Sequence, residues 1–266
     1  MKVKSYFSIF LVTIFLTSQA QAVLTQSDYP FQEAEKYIDR IIERNLPYER
    51  QILNINWSTK DHNTYPAGSL TKMFATYLIE NNIIKDKTVA DIGSSSFAIG
   101  VIAAKNSAKE VVGTCITYEA TKNAQENIVS NNVGSIAHVI EGSGARPLLS
   151  QYKGKIDVIV SGPPWNTISS EDFNKIEESR KALTKLFYDI DDIIITDVLS
   201  NAPLLLAPGG KIYITASSKI MDRIKHLCEL NHMTYKIVKE EDIHKDKNIH
   251  YILMLTPEKK EKIYVN

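Results

Sequence analysis

The chain has 266 residues, 31 Lys+Arg against 31 Asp+Glu, 44% hydrophobic content and two cysteines. Apolar content near the globular norm excludes a disordered polyelectrolyte, and two cysteines are too few for a disulfide-stapled mini-protein. Formal neutrality argues against non-specific nucleic-acid binding through a broad basic face, and the length suits one domain with a small appendage.

Lys2 and Lys4 precede an apolar run from Tyr6 to Leu16, and the stretch closes on Ala20-Gln21-Ala22. A short basic region, an apolar centre and an A-x-A close predict an export signal cleaved after Ala22. The run falls short of the roughly 20 apolar residues that span a bilayer, so no membrane span is expected after cleavage. The expected destination is the periplasm or the exterior. The expected division is a signal over residues 1–22, a helical and short-strand segment over 23–85, and the main domain over 86–266.

Phe31 to Arg44 carries helical spacing at Tyr37, Ile38, Ile41 and Ile42, with a short strand near Ile52–Trp57. A second helix is predicted over Ser69–Asn81, with Ser69 as its N-cap. From Lys87 onward strands and helices alternate. Strands are expected at Thr88–Ile92, Glu110–Cys115, His138–Glu141, Ile156–Ser161 and Lys211–Ala216, with paired terminal strands at Met233–Lys239 and His250–Thr256. Helices are expected at Ala98–Asn106, Ala120–Asn131 and Lys219–Asn231, and a long one ends near Leu206 before a Pro208-Gly209-Gly210 turn. This alternation predicts an α/β, Rossmann-like fold whose mostly parallel sheet has helices on both faces. Ligands of such sheets sit outside the carboxyl ends of the strands.

Two strand ends are unusual. The first runs into Asp91-Ile92-Gly93-Ser94-Ser95-Ser96-Phe97-Ala98-Ile99-Gly100, a small-residue turn that opens a helix and lets backbone amides approach a ligand. The other is Ser161-Gly162-Pro163-Pro164-Trp165. Two prolines stiffen the backbone and remove two donors, leaving carbonyls to face a guest, and the indole can stack on a planar group. Alone, either turn also reads as ordinary structure.

Together with YEATKNAQENIVSNN, EGSGA and LLLAPGGKIYITAS, these segments resemble the class I S-adenosylmethionine-dependent methyltransferases, in particular the methyltransferase small-domain group. The resemblance covers about residues 63–256. It implies a seven-stranded sheet of order 3-2-1-4-5-7-6 with the last strand antiparallel, S-adenosylmethionine as cofactor, and an approach segment at Tyr65–Thr71. It also implies methyl transfer to a planar nitrogen, an amide or amino group, of a protein or small-molecule acceptor.

Carried onto these positions, the cofactor residues are Asp91, Gly93, Ser95, Phe97, Cys115 and Ser143, and the acceptor-presenting residues are Gly162, Pro163, Pro164 and Trp165. Asp91 and Gly93 match the pattern. Ser95 and Phe97 stand where two further glycines are common, and the Phe97 ring is expected either to turn outward or to enter the cofactor space. Cys115 stands where an acid accepts both ribose hydroxyls; losing that contact is expected to cost about 1.5–3 kcal/mol unless Thr117 or Glu119 compensates. Gly162 replaces the side chain that shares the acceptor nitrogen with the next carbonyl, leaving Pro163, Trp165 and Ser161. These departures keep open a second reading, a methyltransferase-fold binding protein without catalysis. A nicotinamide oxidoreductase would need a spaced-glycine fingerprint and an acid after the second strand, and neither is present.

The six histidines (His62, His138, His226, His232, His244 and His250) show no metal-ligand spacing, so no metal site is expected; His62 alone lies near the approach segment. Cys115 and Cys228 fall on opposite halves of the proposed sheet and are expected to be free thiols. Residues 166–190 carry mixed charges, as a solvated helix does, and their place after the Pro-Pro turn also suits a lid.

Overall fold

The structure, a computed structural model, describes residues 31–43, 48–59, 67–245 and 247–258. The expected signal over 1–22, His62 and Tyr65-Pro66 lie outside the described residues. The chain begins with α1 (Phe31–Glu43), a hairpin of β1 (Tyr48–Ile52) and β2 (Ile55–Thr59), and α2 (Ser69–Glu80). The alternating part is β3 (Thr88–Ile92), α3 (Ala98–Lys105), β4 (Glu110–Cys115), α4 (Tyr118–Ser130), β5 (Ala137–Glu141), α5 (Leu149–Tyr152) and β6 (Ile156–Ser161). An insertion follows, made of β7 (Asn166–Ile168), α6 (Ser170–Lys175), α7 (Glu178–Phe187) and β8 (Tyr188–Ile190). The chain then runs through α8 (Ile193–Leu205), β9 (Leu206–Ser217), α9 (Met221–Leu230), β10 (Met233–Glu241) and β11 (His250–Pro257).

Seven strands form one sheet in the order β10-β11-β9-β6-β3-β4-β5. β3 pairs in parallel with β4 and β6, β4 with β5, and β6 with β9, while β11 runs antiparallel to both neighbours. Counted along the chain, this is the implied 3-2-1-4-5-7-6. The central strands are apolar on both sides because both faces are covered. Val89 and Val111 join one core with Phe74, Leu78, Val101, Ile128 and the hairpin's Ile52 and Trp57. Their neighbours Ala90 and Val112 point the other way, into a core with Leu148, Val198, Leu199 and Leu227. Cys115 belongs to the first core and Cys228 to the second, and both are free thiols.

Four local expectations are corrected. The strand near Ile52–Trp57 is a two-strand hairpin, because Leu53 (φ +51°) and Asn54 (φ +63°) are both left-handed, as a two-residue turn requires. Ser69 is the first residue of α2 and Gly68 is the cap, its N–H donating to Thr71 Oγ1 at 3.2 Å. The Pro208-Gly209-Gly210 turn is a bulge within β9, where the pairing jumps from Ile156–Leu206 to Val158–Lys211.

The fourth concerns residues 166–190, which are more than a solvated helix. β7 and β8 pair in parallel, and Ile168, Ile176, Leu183, Leu186, Phe187 and Tyr188 bury against Ala34, Ile38 and Ile41 of α1. The Tyr37 ring meets Phe187 and Tyr188 edge-on at 5.7 and 6.0 Å, and Arg180 Nη1 lies 2.8 Å from Asp39 Oδ1. The amphipathic stripe of α1 thus finds its partner more than 120 positions along the chain.

Ile38 is fully packed in this cap, so Ile38→Asp leaves an uncompensated charge there. Amide hydrogen exchange is expected to speed up over residues 168–188 while β3, β4 and β6 keep their protection; unchanged protection of 168–188 would contradict the packing.

Candidate active site

The cleft lies at the carboxyl ends of β3, β4, β5 and β6, roofed by α2 and the cap. Its cavity is about 220 Å³. One water needs roughly 10–15 Å³, so the space suits a nucleoside-sized guest.

The first wall is the turn after β3. The Gly93 amide donates to Thr114 Oγ1 at 3.2 Å, the Ser94 amide to the Thr114 carbonyl at 2.8 Å, and Asn127 Nδ2 to the Ser96 carbonyl at 3.0 Å. These bonds hold Gly93 at φ +71°, where a Cβ would meet nothing within 4 Å. The open side of this glycine faces the cleft, and the backbone is bare to a guest. Ser95 and Phe97 keep positive φ (+47° and +59°) without being glycine, a conformation costing roughly 1–2 kcal/mol each.

Burial of the aromatic ring offsets part of that cost. Phe97 is fully buried, and its ring fills a slot between Gly100 of α3 and Gly113 of β4. A Cβ at either glycine would come within 2.3 or 2.4 Å of Phe97 Cε2. The expectation for Phe97 is therefore corrected: the ring goes behind the turn, neither outward nor into the cleft, and it does not line the site. Gly100, quoted in the turn without a role, and Gly113, which sequence reasoning passed over, leave the room that the ring occupies.

Asp91 lines the cleft from the base of the turn, with Oδ2 accepting from the Gly100 amide at 3.0 Å. Burial pushes its carboxyl up to about 7, against the lowering effect of that hydrogen bond. Because the folded chain holds this proton more tightly than the unfolded chain, Asp91 withdraws stability as pH rises from about 4 to about 7.

The second wall comes from the ends of β4 and β5. Ile116, Ala120, Gly142, Ser143 and Gly144 line it. Cys115 does not. Its thiol is buried, donating to the Ser95 carbonyl at 3.3 Å and lying 3.3 Å from Ser94 Oγ, and burial pushes it up to about 12. Thr117 and Glu119 are not among the lining residues either: the Thr117 hydroxyl caps α4 by accepting from Ala120 N, and Glu119 is exposed. Gly144 (φ +66°) makes room for Asp197, since a Cβ there would lie 2.0 Å from Asp197 Oδ2. Asp197 accepts from the Ala145 amide, from Asn201 Nδ2 at 2.7 Å, and pairs with Arg146 Nε at 2.8 Å. This buried acid pins the Ser143 loop from α8, and nothing in its local sequence advertises the role.

Gly162, Pro163, Pro164 and Trp165 line the third wall, as placed from sequence. Ser161 does not join them: its hydroxyl donates to the Ile92 carbonyl at 2.8 Å and ties the ends of β3 and β6 together. Trp165 Nε1 donates to the Thr215 carbonyl at 3.3 Å, and its ring lies 5.3 Å from that of His250. Thr215 also lines the cleft, a residue that sequence reasoning missed. The roof is Leu70, Thr71 and Phe74 of α2 with Tyr37, Lys185, Leu186 and Phe187 of the cap. Of the described lining residues, Asp91 and Lys185 alone carry formal charge.

Residues 59–162 match the family model for ribosomal protein L11 methyltransferase (PrmA). The chain is similar to the ribosomal protein L11 methyltransferase of Clostridium perfringens, 34% identical over 140 residues, a match covering 53% of this chain and 38% of that protein. It also resembles the release factor glutamine methyltransferase of Borreliella burgdorferi, 24% identical over 222 residues, covering 79% of this chain and 76% of that one. Among solved structures, P. horikoshii TYW2 in complex with MeSAdo shares the fold with a TM-score of 0.52 at 14% identity, covering 85% of this chain and 82% of that chain.

Gly113→Ala drives a methyl group into the Phe97 ring and is expected to cost about 1–3 kcal/mol. Phe97→Ala alone is expected to cost about 3–5 kcal/mol, and the double variant clearly less than the sum. Urea unfolding measures the cycle; strict additivity would contradict the slot.

Proposed function

Since the chain belongs to the class I S-adenosylmethionine-dependent methyltransferases, we propose that it transfers a methyl group to a neutral planar nitrogen of a protein or small-molecule acceptor. The observation carrying this is the character of the cleft: an open glycine face at Gly93 meets a Pro-Pro-Trp wall, and the only described carboxylate on it, Asp91, sits at the base of the turn after β3. A lysine ammonium would need a carboxylate or base at the Trp165 end, and the described lining offers none there. An amide or ring amino group enters neutral. A glutamine amide of a protein is the acceptor favoured by this character and by the likeness to the glutamine methyltransferase.

The residues present fit the cofactor at most positions. Asp91 would take its ammonium, the bare backbone at Gly93 its methionine portion, and the Ser143 hydroxyl its adenine edge. Cys115 is the misfit. Its thiol is committed to Ser94 and Ser95, so the ribose hydroxyls find no carboxylate at the end of β4. Bound there, S-adenosylmethionine would supply an electrophilic methyl carbon with a neutral thioether as leaving group. The chain's own contribution is placement. Pro163 and Pro164 offer carbonyls and no N–H, so the turn after β6 accepts hydrogen bonds from the acceptor N–H groups and leaves the nitrogen electrons free to face the methyl carbon. Phe74, Leu186 and Phe187 exclude water from that approach. After transfer the nitrogen releases its proton to solvent, and no side-chain base is required.

Cys115 also supports the alternative of a binding protein that keeps the fold without the chemistry. Titration calorimetry with S-adenosylmethionine separates the two: micromolar affinity is expected, lost in Gly93→Arg, whereas no binding at millimolar cofactor abandons the enzyme. Affinity is expected to rise as pH is raised from about 6 to 8, as Asp91 ionises, and Asp91→Asn should flatten that dependence. An unchanged slope in Asp91→Asn would remove the acid from the site.

Export is a separate proposal, supported by Lys2, Lys4, the apolar run and Ala20-Gln21-Ala22. Amino-terminal sequencing of the protein from its own cells is expected to begin at Val23; a retained Met1 contradicts it.

A further inference from the structure

Thr215 sits near the end of β9, beside the turn after β6, and is 2% exposed. Its backbone is engaged: it stands opposite Ile252 of β11, and its carbonyl receives the Trp165 indole. Its hydroxyl is not. Among the described residues Thr215 Oγ1 has no hydrogen-bond partner, although the atom is buried. A buried hydroxyl without a partner loses its hydration with no return, so Thr215 Oγ1 calls for a partner that the described residues do not supply.

The direction in which this hydroxyl opens is set by its neighbour. A Cβ built on Gly162 would have Thr215 Oγ1 as its sole contact within 4 Å, at 3.5 Å. Gly162 is therefore not required by sterics, since an ordinary side chain fits there in van der Waals contact. Thr215 Oγ1, itself closed to water, lies directly behind the bare Cα of Gly162, and both residues line the cleft. Any larger residue at 162 would stand between that oxygen and the cleft.

We infer that Thr215 Oγ1 is the side-chain anchor for the acceptor nitrogen, reached across the bare Cα of Gly162, so that the pair Gly162–Thr215 sets acceptor specificity. The inference rests on the proposed transfer to a planar nitrogen and adds the group that holds it. A hydroxyl accepts an N–H in the acceptor plane and still has its own hydrogen to donate to a neighbouring carbonyl. A primary carboxamide offers both partners; an alkyl ammonium offers donors only. The anchor thus selects amides over amines.

Thr215→Val tests this with little risk to the fold, because it exchanges an unpartnered hydroxyl for a methyl of similar shape and keeps the backbone bond to Trp165. Urea unfolding should show a midpoint equal to or above that of the parent chain, whereas a structural hydroxyl would lower it. The binding readout is an NMR titration of the full chain, saturated with S-adenosylhomocysteine, with N-acetylglutamine methylamide. Saturable shifts are expected at the Gly162 and Thr215 amides, with affinity weakened about tenfold in Thr215→Val. In a Gly162→Asn background, where the new side chain covers the hydroxyl, the same Thr215→Val change should weaken affinity less than twofold. Equal affinity of Thr215→Val and the parent overturns the inference, as does the lack of any saturable shift at these two amides. Mass spectrometry of the same amide distinguishes the two levels. Methylation at equal rates by both chains sinks the anchor and spares the transfer reaction; binding that follows the expected pattern without methylated product does the reverse.

Discussion

The cleft exists because the Phe97 ring is somewhere else. The turn after β3 must bring bare backbone to its front, and an aromatic residue near its end has only two places to put six carbons. Glycines at 100 and 113 open a slot behind the turn, one on the helix that follows and one on the adjacent strand, and the ring fills it completely. Its burial helps hold two non-glycine residues at positive φ, and with them the Gly93 conformation whose open face looks onto the site. The neighbouring ties depend on the same placement. Thr114 holds the turn from β4 and the Gly144 loop from its hydroxyl, and Ser161 links β6 to β3.

Polar anchoring has shifted in the same manner on the acceptor side. Cys115 faces into the turn, and Gly162 lines the cleft without a side chain, so neither position presents a polar side chain to a guest. The cleft is largely apolar, and its polar lining side chains are Asp91, Lys185, Thr71, Asn166, Thr215, Ser143 and the serines of the first turn, beside the rings of Tyr37 and Trp165. Under the proposed function, such a surface would take neutral, flat acceptors and leave cofactor affinity to the methionine and adenine ends. The cap gives this cleft its roof. Tyr37 from α1 and Phe187 from the insertion both line it, and their mutual packing couples cap integrity to the shape of the acceptor end.

The strand–helix alternation after Lys87 was legible because strands buried on both faces read as short apolar runs, whereas the sheet order came from the family resemblance and not from any local pattern. The Pro-Pro-Trp turn and the small-residue turn were also legible, since both announce themselves by composition. What stayed hidden depends on contacts distant along the chain. Phe97 could be placed only by knowing that Gly113, sixteen positions on, lies beside it. Thr215 looks like any β-branched residue of a strand until the Gly162 turn is set next to it. Asp197 sits mid-helix with no cue that the Ser143 loop lies against it, and α1 shows an apolar stripe without naming the insertion as its partner. The hairpin at 48–59 was read as one strand because Leu53 is an unusual occupant of a left-handed turn position.

The central claim is that the space in front of Gly93 receives an adenosyl guest while Phe97 stays behind the turn. A crystal structure of the full chain grown with S-adenosylhomocysteine tests it directly. The expected result is the nucleoside lying along Gly93, Ser143 and Gly144 with its sulfur toward Trp165, and the Phe97 ring still between Gly100 and Gly113. A cleft that stays empty at millimolar ligand, or a Phe97 ring swung into it, would contradict the account.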